Sequence, residues 1–170
     1  MFFFPITDDN ESNSKPYICY CLIGICCFIF LWQNALPINL NQSAIYNFGV
    51  IPAAVLGDQQ GLIHPYLTIF TSMFMHGGWM HLIGNMVFLW IFGDNIEDSM
   101  GHKKFLVFYL LSGIFAALLQ ASIDPSSSVP MIGASGAIAG LLGAYLVLHP
   151  RANVNVLFWL FTVSYTHLRA

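Results

Sequence analysis

Long apolar segments without charged side chains are the feature that most constrains how this chain can fold. Residues 17–34 contain no charge, and a helix needs about 20 such residues to cross a bilayer. Comparable segments cover residues 79–92, 105–123 and 135–149. The chain is 57% hydrophobic and 8% charged, with a mean hydropathy of +0.70, whereas soluble domains are about 25% charged. The sequence therefore predicts an all-α, polytopic membrane helix bundle.

The segments before, between and after these predicted helices have other predicted roles. Residues 1–16 predict a short cytoplasmic tail, because they are mostly polar and lack the basic region and cleavage site of a secretory signal. Residues 17–161 form the predicted membrane domain. Within it, residues 36–66 predict a partly apolar interfacial loop, residues 93–104 a polar turn, and residues 153–161 the start of a fifth span. Residues 162–170 break the apolar pattern and are interpreted as a non-native tail.

The few basic residues predict the orientation of the bundle. When the spans alternate across the membrane, one face receives Lys15, Lys103, Lys104 and Arg151, and the segments at the other face contain no Lys or Arg within residues 36–66 or 121–134. By the positive-inside rule the basic face is cytoplasmic. We therefore expect a multi-pass protein of the cell (inner) membrane, with Ser135 and His81 toward the external, periplasmic side.

Composition also argues against two classes of function. The net charge is −3, so no basic surface indicates nucleic-acid binding. The four cysteines lie inside the first apolar segment, and no Cys and His spacing resembles a zinc site. They are interpreted as small helix-packing residues. The sequence therefore predicts neither a metal nor a nucleic-acid partner, and the lipid bilayer is the expected surroundings.

The motif Gly133-x-Ser135-Gly136 lies where a polar loop meets an uncharged helix. A hydroxyl at such a junction is reachable from outside the membrane, which is what a nucleophile requires. A packing role is the alternative, since Gly136, Gly140 and Ala144 stand four apart and small residues at this spacing let transmembrane helices approach closely. The motif alone leaves both interpretations open.

His81 and Asn85 form a second polar element, in another predicted helix. Their i, i+4 spacing places both side chains on one helix face. A polar pair in a membrane segment marks either an interhelical hydrogen-bond site or a functional cavity. Together with the backbone N–H of Ser135, an imidazole and a carboxamide could donate to one oxyanion.

In order and spacing, these motifs resemble the rhomboid intramembrane serine proteases. The resemblance rests on Gly133-x-Ser135-Gly136, on His81-x-x-x-Asn85 with His76 upstream, and on the segments 5–10 and 93–101. It implies a six-helix core, of which about four and a half helices are present in this chain. It also implies an enzyme that cleaves transmembrane segments of other proteins. Ser135 would be the nucleophile. His81, Asn85 and the Ser135 amide would form the oxyanion hole, with Gly133 in the motif and His76 and Gly136 in support. The family requires no cofactor and no metal.

The general base is the main departure from the family pattern. A serine nucleophile needs a proton acceptor, and in rhomboids this is a histidine on the sixth helix, beyond the end of this chain. His149 lies about 21 Å along the helix from Ser135, and His102 lies on the cytoplasmic side. We therefore expect this chain alone to be inactive.

Two alternatives to the protease stay open. The first is a non-catalytic, pseudoprotease- or derlin-like binder of transmembrane clients. The second is a small transporter, which is disfavoured because the predicted spans lack an acidic residue. The sequence makes no prediction of oligomeric state.

Overall fold

The computed structural model describes residues 2–10, 12–57, 62–160 and 162–169, and most of them are helical, which confirms the all-α class. The helices are α1 (Tyr17–Ala35), α2 (Ile38–Phe48), α3 (Pro52–Val55), α4 (Pro65–Thr71), α5 (Trp79–Met100), α6 (His102–Ile123) and α7 (Ser135–Leu148), with a 3-10 turn at Ser72–Phe74. The strands β1 (Phe2–Asp8), β2 (Asn153–Leu160) and β3 (Thr162–Arg169) form one antiparallel sheet in the order β1-β2-β3.

Helix lengths determine where the chain can cross a bilayer. Within the described residues, α1 (19 residues) and α6 (22 residues) are long and apolar enough to span. Helix α5 also has 22 residues but carries acidic side chains near its carboxyl end. Helix α7 has only 14 residues, or about 21 Å, against a hydrocarbon core of about 30 Å. Helix α7 is therefore too short to cross the whole hydrocarbon core.

The predicted polar turn at residues 93–104 is wrong, because α5 continues through it to Met100 and ends at Gly101. Gly101 has a φ of +78°, a conformation that glycine adopts without strain. The acidic residues of this segment stay helical because they have partners. Asp98 accepts hydrogen bonds from the backbone N–H groups of Asn13 and Ser14, and Glu97 accepts from the start of α1.

The expected fifth helix from residue 153 is also wrong, since residues 153–160 form β2. Valine alternates with asparagine at its start, and β-branched residues with a period of two favour strands. The register pairs Val154 with Asp8 of β1 and with Leu168 of β3. The interfacial loop at residues 36–66 contains α2 and α3.

Helices α6 and α7 pack through glycines at very short range. A methyl group built on Gly136 would lie 2.7 Å from Cβ of Ala116, and one on Gly140 would lie 2.5 Å from Cβ of Ser112. Larger side chains at either position would separate the helices. The predicted small-residue packing face is therefore confirmed at Gly136 and Gly140.

A segment of the amino-terminal tail connects the carboxyl ends of α5 and α7. The Asp8 carboxylate accepts hydrogen bonds from the Tyr145 hydroxyl and from Nδ2 of Asn95. His149 Nε2 lies 3.0 Å from the Ser99 hydroxyl, and the Asn10 amide lies between Asn95 and His149. The helix that carries His81 and the one that begins at Ser135 are thus joined at the predicted cytoplasmic side.

The charge of Asp8 provides a test of this connection. Burial raises the pKa of Asp8 above its ordinary value, so the folded state holds the ionised form less favourably than the unfolded state does. At a pH below the pKa of Asp8 in the unfolded chain, the carboxyl group is protonated in both states and its burial costs no charge-related stability. At a pH above its pKa in the folded chain, the full cost of the buried charge applies. We therefore expect the Asp8→Asn variant, which keeps an acceptor oxygen, to gain stability relative to the native chain as the pH rises from acidic to neutral.

The Asp8→Ala variant is the matched comparison, since it leaves the buried Tyr145 hydroxyl and Asn95 amide without this acceptor. An unsatisfied buried donor costs about 1–3 kcal/mol, so this variant should melt below the native chain at neutral pH. Thermal melting in detergent at a series of pH values measures both effects. Equal destabilisation by Asn and Ala would contradict the role given to the Asp8 acceptor.

Candidate active site

Helix packing brings Ser135 to the level of Asn85. Helices α5 and α7 run in the same direction, and the Ser99–His149 contact aligns their carboxyl ends. Asn85 and Ser135 lie fourteen positions earlier in their respective helices, so the common rise of 1.5 Å per residue puts them at similar depth. His81 lies one turn above Asn85.

Gly133, in the loop before α7, lies against α5 at this level. A Cβ built on Gly133 would lie 2.6 Å from Nε2 of His81 and 3.6 Å from Nδ2 of Asn85. Gly133 has a φ of +122°, which side-chain-bearing residues rarely adopt. The loop before α7 therefore passes directly over the His81 and Asn85 side chains, and only glycine fits there.

Two kinds of unpaired hydrogen-bond donor lie near this loop. The Asn85 side chain is buried, and its Nδ2 has no hydrogen-bond partner among the described residues, although buried amides are normally paired. Ser135 is the first residue of α7, and the first N–H groups of a helix have no acceptor inside it. The positive end of the helix dipole adds to their attraction for a negative charge.

The hydrogen bond that His81 accepts indicates which of its ring nitrogens carries the proton. The N–H of Gly77 donates to Nδ1 of His81 over 3.4 Å. A ring nitrogen that accepts a hydrogen bond carries no proton, so a neutral His81 carries its proton on Nε2. Because Nε2 is the atom beside Gly133, the imidazole presents a donor to the same place as the Asn85 amide.

His76 lies behind His81, with the two ring centroids 5.2 Å apart and the ring planes at 66° to each other. The residue is 1% exposed, and its Nε2 has no partner among the described residues. Its backbone is held by Gln33 of α1, whose side-chain oxygen accepts from the His76 N–H and whose amide nitrogen donates to the His76 carbonyl. His76 thus contacts the site through His81.

Ser135 itself is exposed and lines a cavity of about 190 Å³ between α6 and α7. Met131 and Val50 also line this cavity, and their backbones pair across it in a two-way bridge. Gly136 faces α6 rather than His81. Of the predicted site residues, the structure brings together His81, Asn85 and Gly133, with His76 behind them. Ser135 follows Gly133 by two residues and lines the cavity toward α6, and Gly136 packs against α6.

Sequence reasoning missed Gln33, which is 1% exposed. A signal was present, since an amide in an otherwise apolar span needs a partner. Among the described residues, no group of three metal-ligating side chains occurs. The arrangement therefore consists of an exposed hydroxyl two residues after a glycine that lies against imidazole and amide nitrogens.

Apolar helices long enough to span a bilayer define this chain as a membrane protein, and its candidate site lies where the loop before α7 meets α5. A Rhomboid domain model matches residues 64–168. The putative rhomboid protease YdcA of Bacillus subtilis is 35% identical over 128 residues, which is 70% of this chain and 64% of that protein. The rhomboid protease GluP of Bacillus subtilis is 29% identical over 135 residues, 79% of this chain and 25% of its own length.

The chain belongs to the rhomboid family, since the domain model covers more than half of it. A plant relative, RHOMBOID-like protein 5 of Arabidopsis thaliana, is 35% identical over 78 residues, 46% of this chain and 25% of that protein. The chain spans about a quarter of the length of several curated relatives that it matches. It is a membrane protein of a family that includes intramembrane proteases.

Proposed function

We propose that this protein is an intramembrane serine endopeptidase that cleaves transmembrane segments of other membrane proteins. The observation that carries the proposal is the contact of Gly133 with Nε2 of His81 and Nδ2 of Asn85, two residues before the exposed Ser135. This brings donors from α5 to the start of α7. Such a donor set is what an acyl-transfer site needs beside its nucleophile.

In the proposed reaction, the Ser135 hydroxyl attacks a peptide carbonyl of an unwound substrate helix. The carbonyl oxygen becomes an oxyanion, and Nε2–H of His81, the Asn85 amide and the Ser135 N–H stabilise it. Collapse of this intermediate releases the amine product and leaves an acyl-enzyme, which water hydrolyses to restore the hydroxyl. Each preorganised donor of this kind is worth about 10²–10³ in rate.

We propose that the proton acceptor is a histidine that this 170-residue chain does not contain. Among the histidines whose side chains the structure describes (64, 76, 81, 102 and 149), none is hydrogen-bonded to the Ser135 side chain, and the Gly77 N–H donates to Nδ1 of His81. A hydroxyl without a base is a weak nucleophile. We therefore propose that the 170-residue chain alone has no proteolytic activity.

The proposed location of the site is the external side of the cell membrane. The basic residues 15, 103, 104 and 151 support it, because they lie at the opposite ends of the helices. The short α7 supports it as well, since Ser135 then lies within the membrane, at a depth where a substrate's own transmembrane segment can reach it.

A non-catalytic binder of transmembrane clients is the second candidate. The same lack of a described histidine at Ser135 favours it, and the helix bundle would suffice for binding. The two functions differ in the reactivity of Ser135, which is the property to measure.

The test is covalent labelling by a fluorophosphonate, which reacts with activated serines. We would label the 170-residue chain and a chimera in which the part of YdcA that follows the matching position replaces everything after Arg151. Labelling of the chimera but not of the chain is expected, with Ser135→Ala as the control. A folded chimera that resists labelling would remove the protease proposal and favour the client binder.

A further inference from the structure

The short segment formed by residues 72–78, from the 3-10 turn to the start of α5, contacts both halves of the candidate oxyanion hole. At one end, the Ser72 carbonyl accepts the Gly133 N–H over 2.9 Å. At the other end, the Gly77 N–H donates to Nδ1 of His81. The position of this segment therefore determines both where the loop before α7 lies and which tautomer His81 adopts.

Gln33 holds the middle of this segment from another helix. Its Oε1 accepts from the His76 N–H over 3.1 Å, and its Nε2 donates to the His76 carbonyl over 3.2 Å. The side-chain amide thus pairs with both backbone groups of one residue, as a neighbouring strand would. Gln33 is 1% exposed, so water does not compete for these bonds.

We infer that Gln33 is a positioning residue, which holds the His76 backbone so that the Gly77 N–H keeps the proton of His81 on Nε2. The inference rests on the proposed function for its catalytic meaning, but the tautomer of His81 is a property of the chain itself. Without the two bonds from Gln33, the peptide beside Gly77 is free to rotate. Nδ1 then loses its donor, and neither tautomer of the imidazole is favoured by this contact.

Nitrogen-15 NMR of histidine-labelled protein in detergent measures this directly. Correlations from the ring protons distinguish Nδ1 from Nε2, and a His81→Asn sample assigns the His81 signals among the six histidines. The native 170-residue chain should show His81 protonated at Nε2. The Gln33→Met variant, of similar length but without the amide, should show a mixture of the two tautomers.

Cys26→Ala is the matched control, because Cys26 is a buried residue of α1 that lies two turns before Gln33. It loosens the packing of α1 and should leave the His81 tautomer unchanged. If Gln33→Met does not fold, Gln33→Asn provides the second test, since its amide is one methylene too short to bridge both atoms of His76. A native tautomer in either folded Gln33 variant, or an equal change in Cys26→Ala, would overturn the inference.

The labelling rate of the chimera separates this inference from the proposed function. A misplacement of about 1 Å at an active site costs about a hundredfold in rate, so Gln33→Met should slow Ser135 labelling by between tenfold and a hundredfold. A changed tautomer in the chain together with an unreactive native chimera would support the role of Gln33 and reject the protease. A changed tautomer with an undiminished labelling rate would overturn the positioning role.

Discussion

The Gly133→Ala variant is expected to lose at least a hundredfold to a thousandfold in the labelling rate of Ser135, measured in the YdcA chimera. Alanine there would place its Cβ 2.6 Å from Nε2 and 2.7 Å from Cε1 of His81, closer than real contacts permit. The φ of +122° adds strain. The imidazole must move away, so the oxyanion loses at least one donor, and loss of one donor costs about 10²–10³ in rate.

Gly84→Ala is the matched control for this prediction. Gly84 lies in α5 between His81 and Asn85, and a Cβ built on it meets nothing within 4 Å. Alanine favours a helix over glycine by about 1 kcal/mol, so this variant should fold and react like the native protein. Native labelling of a folded Gly133→Ala chimera would mean that His81 does not donate to the oxyanion.

The long helices were predictable from the sequence because hydropathy alone determines them. The expected spans at residues 17–34, 105–123 and 135–149 agree with α1, α6 and α7 within one to three residues. The expected start of α5 near Trp79 is also confirmed. In a membrane, an apolar segment must pair its backbone N–H and C=O groups with each other. Apolar composition over such a length therefore predicts a helix.

The predictions were wrong where polar side chains bond to residues distant in the sequence and not to water. Residues 94, 97 and 98 suggested an exposed turn, but their carboxylates accept hydrogen bonds from the amino-terminal segment and from α1. Those partners are more than 75 residues away in sequence, and no local pattern reveals them. The strand β2 likewise depends on pairing with β1 at the other end of the chain.

The candidate site was predictable only where it depends on local helix geometry. The spacing of His81 and Asn85 on one helix face follows from helix geometry, and glycine beside Ser135 indicated a close approach. The sequence could not show that Gly133 touches both side chains, or that Gln33 holds the backbone behind them. Those facts depend on how α1, α5 and α7 pack.

The second large effect is expected at Glu97, whose carboxylate stabilises the start of α1. The side chain is fully buried, and its two oxygens accept the backbone N–H groups of Ile18 and Cys19 at 2.9 and 2.7 Å. These are first-turn amides that have no acceptor within their own helix. Hydrogen bonds to a charged group contribute about 1.5–3 kcal/mol each, so Glu97→Ala should lower the free energy of unfolding by about 3 kcal/mol or more.

Graded variants distinguish this capping role from a loss of packing. Glu97→Gln keeps one acceptor and nearly the same volume, so it should lose about half as much stability. Asp98→Ala removes the exposed hydrogen bonds from Asn13 and Ser14, and because exposed bonds contribute less than buried ones it should cost less than Glu97→Ala. Melting in detergent with a thiol-reactive dye follows the exposure of Cys19 and Cys26, which are buried in the folded chain. If Glu97→Gln were as damaging as Glu97→Ala, then the negative charge at the α1 dipole, and not the number of acceptors, would hold α1 against α5.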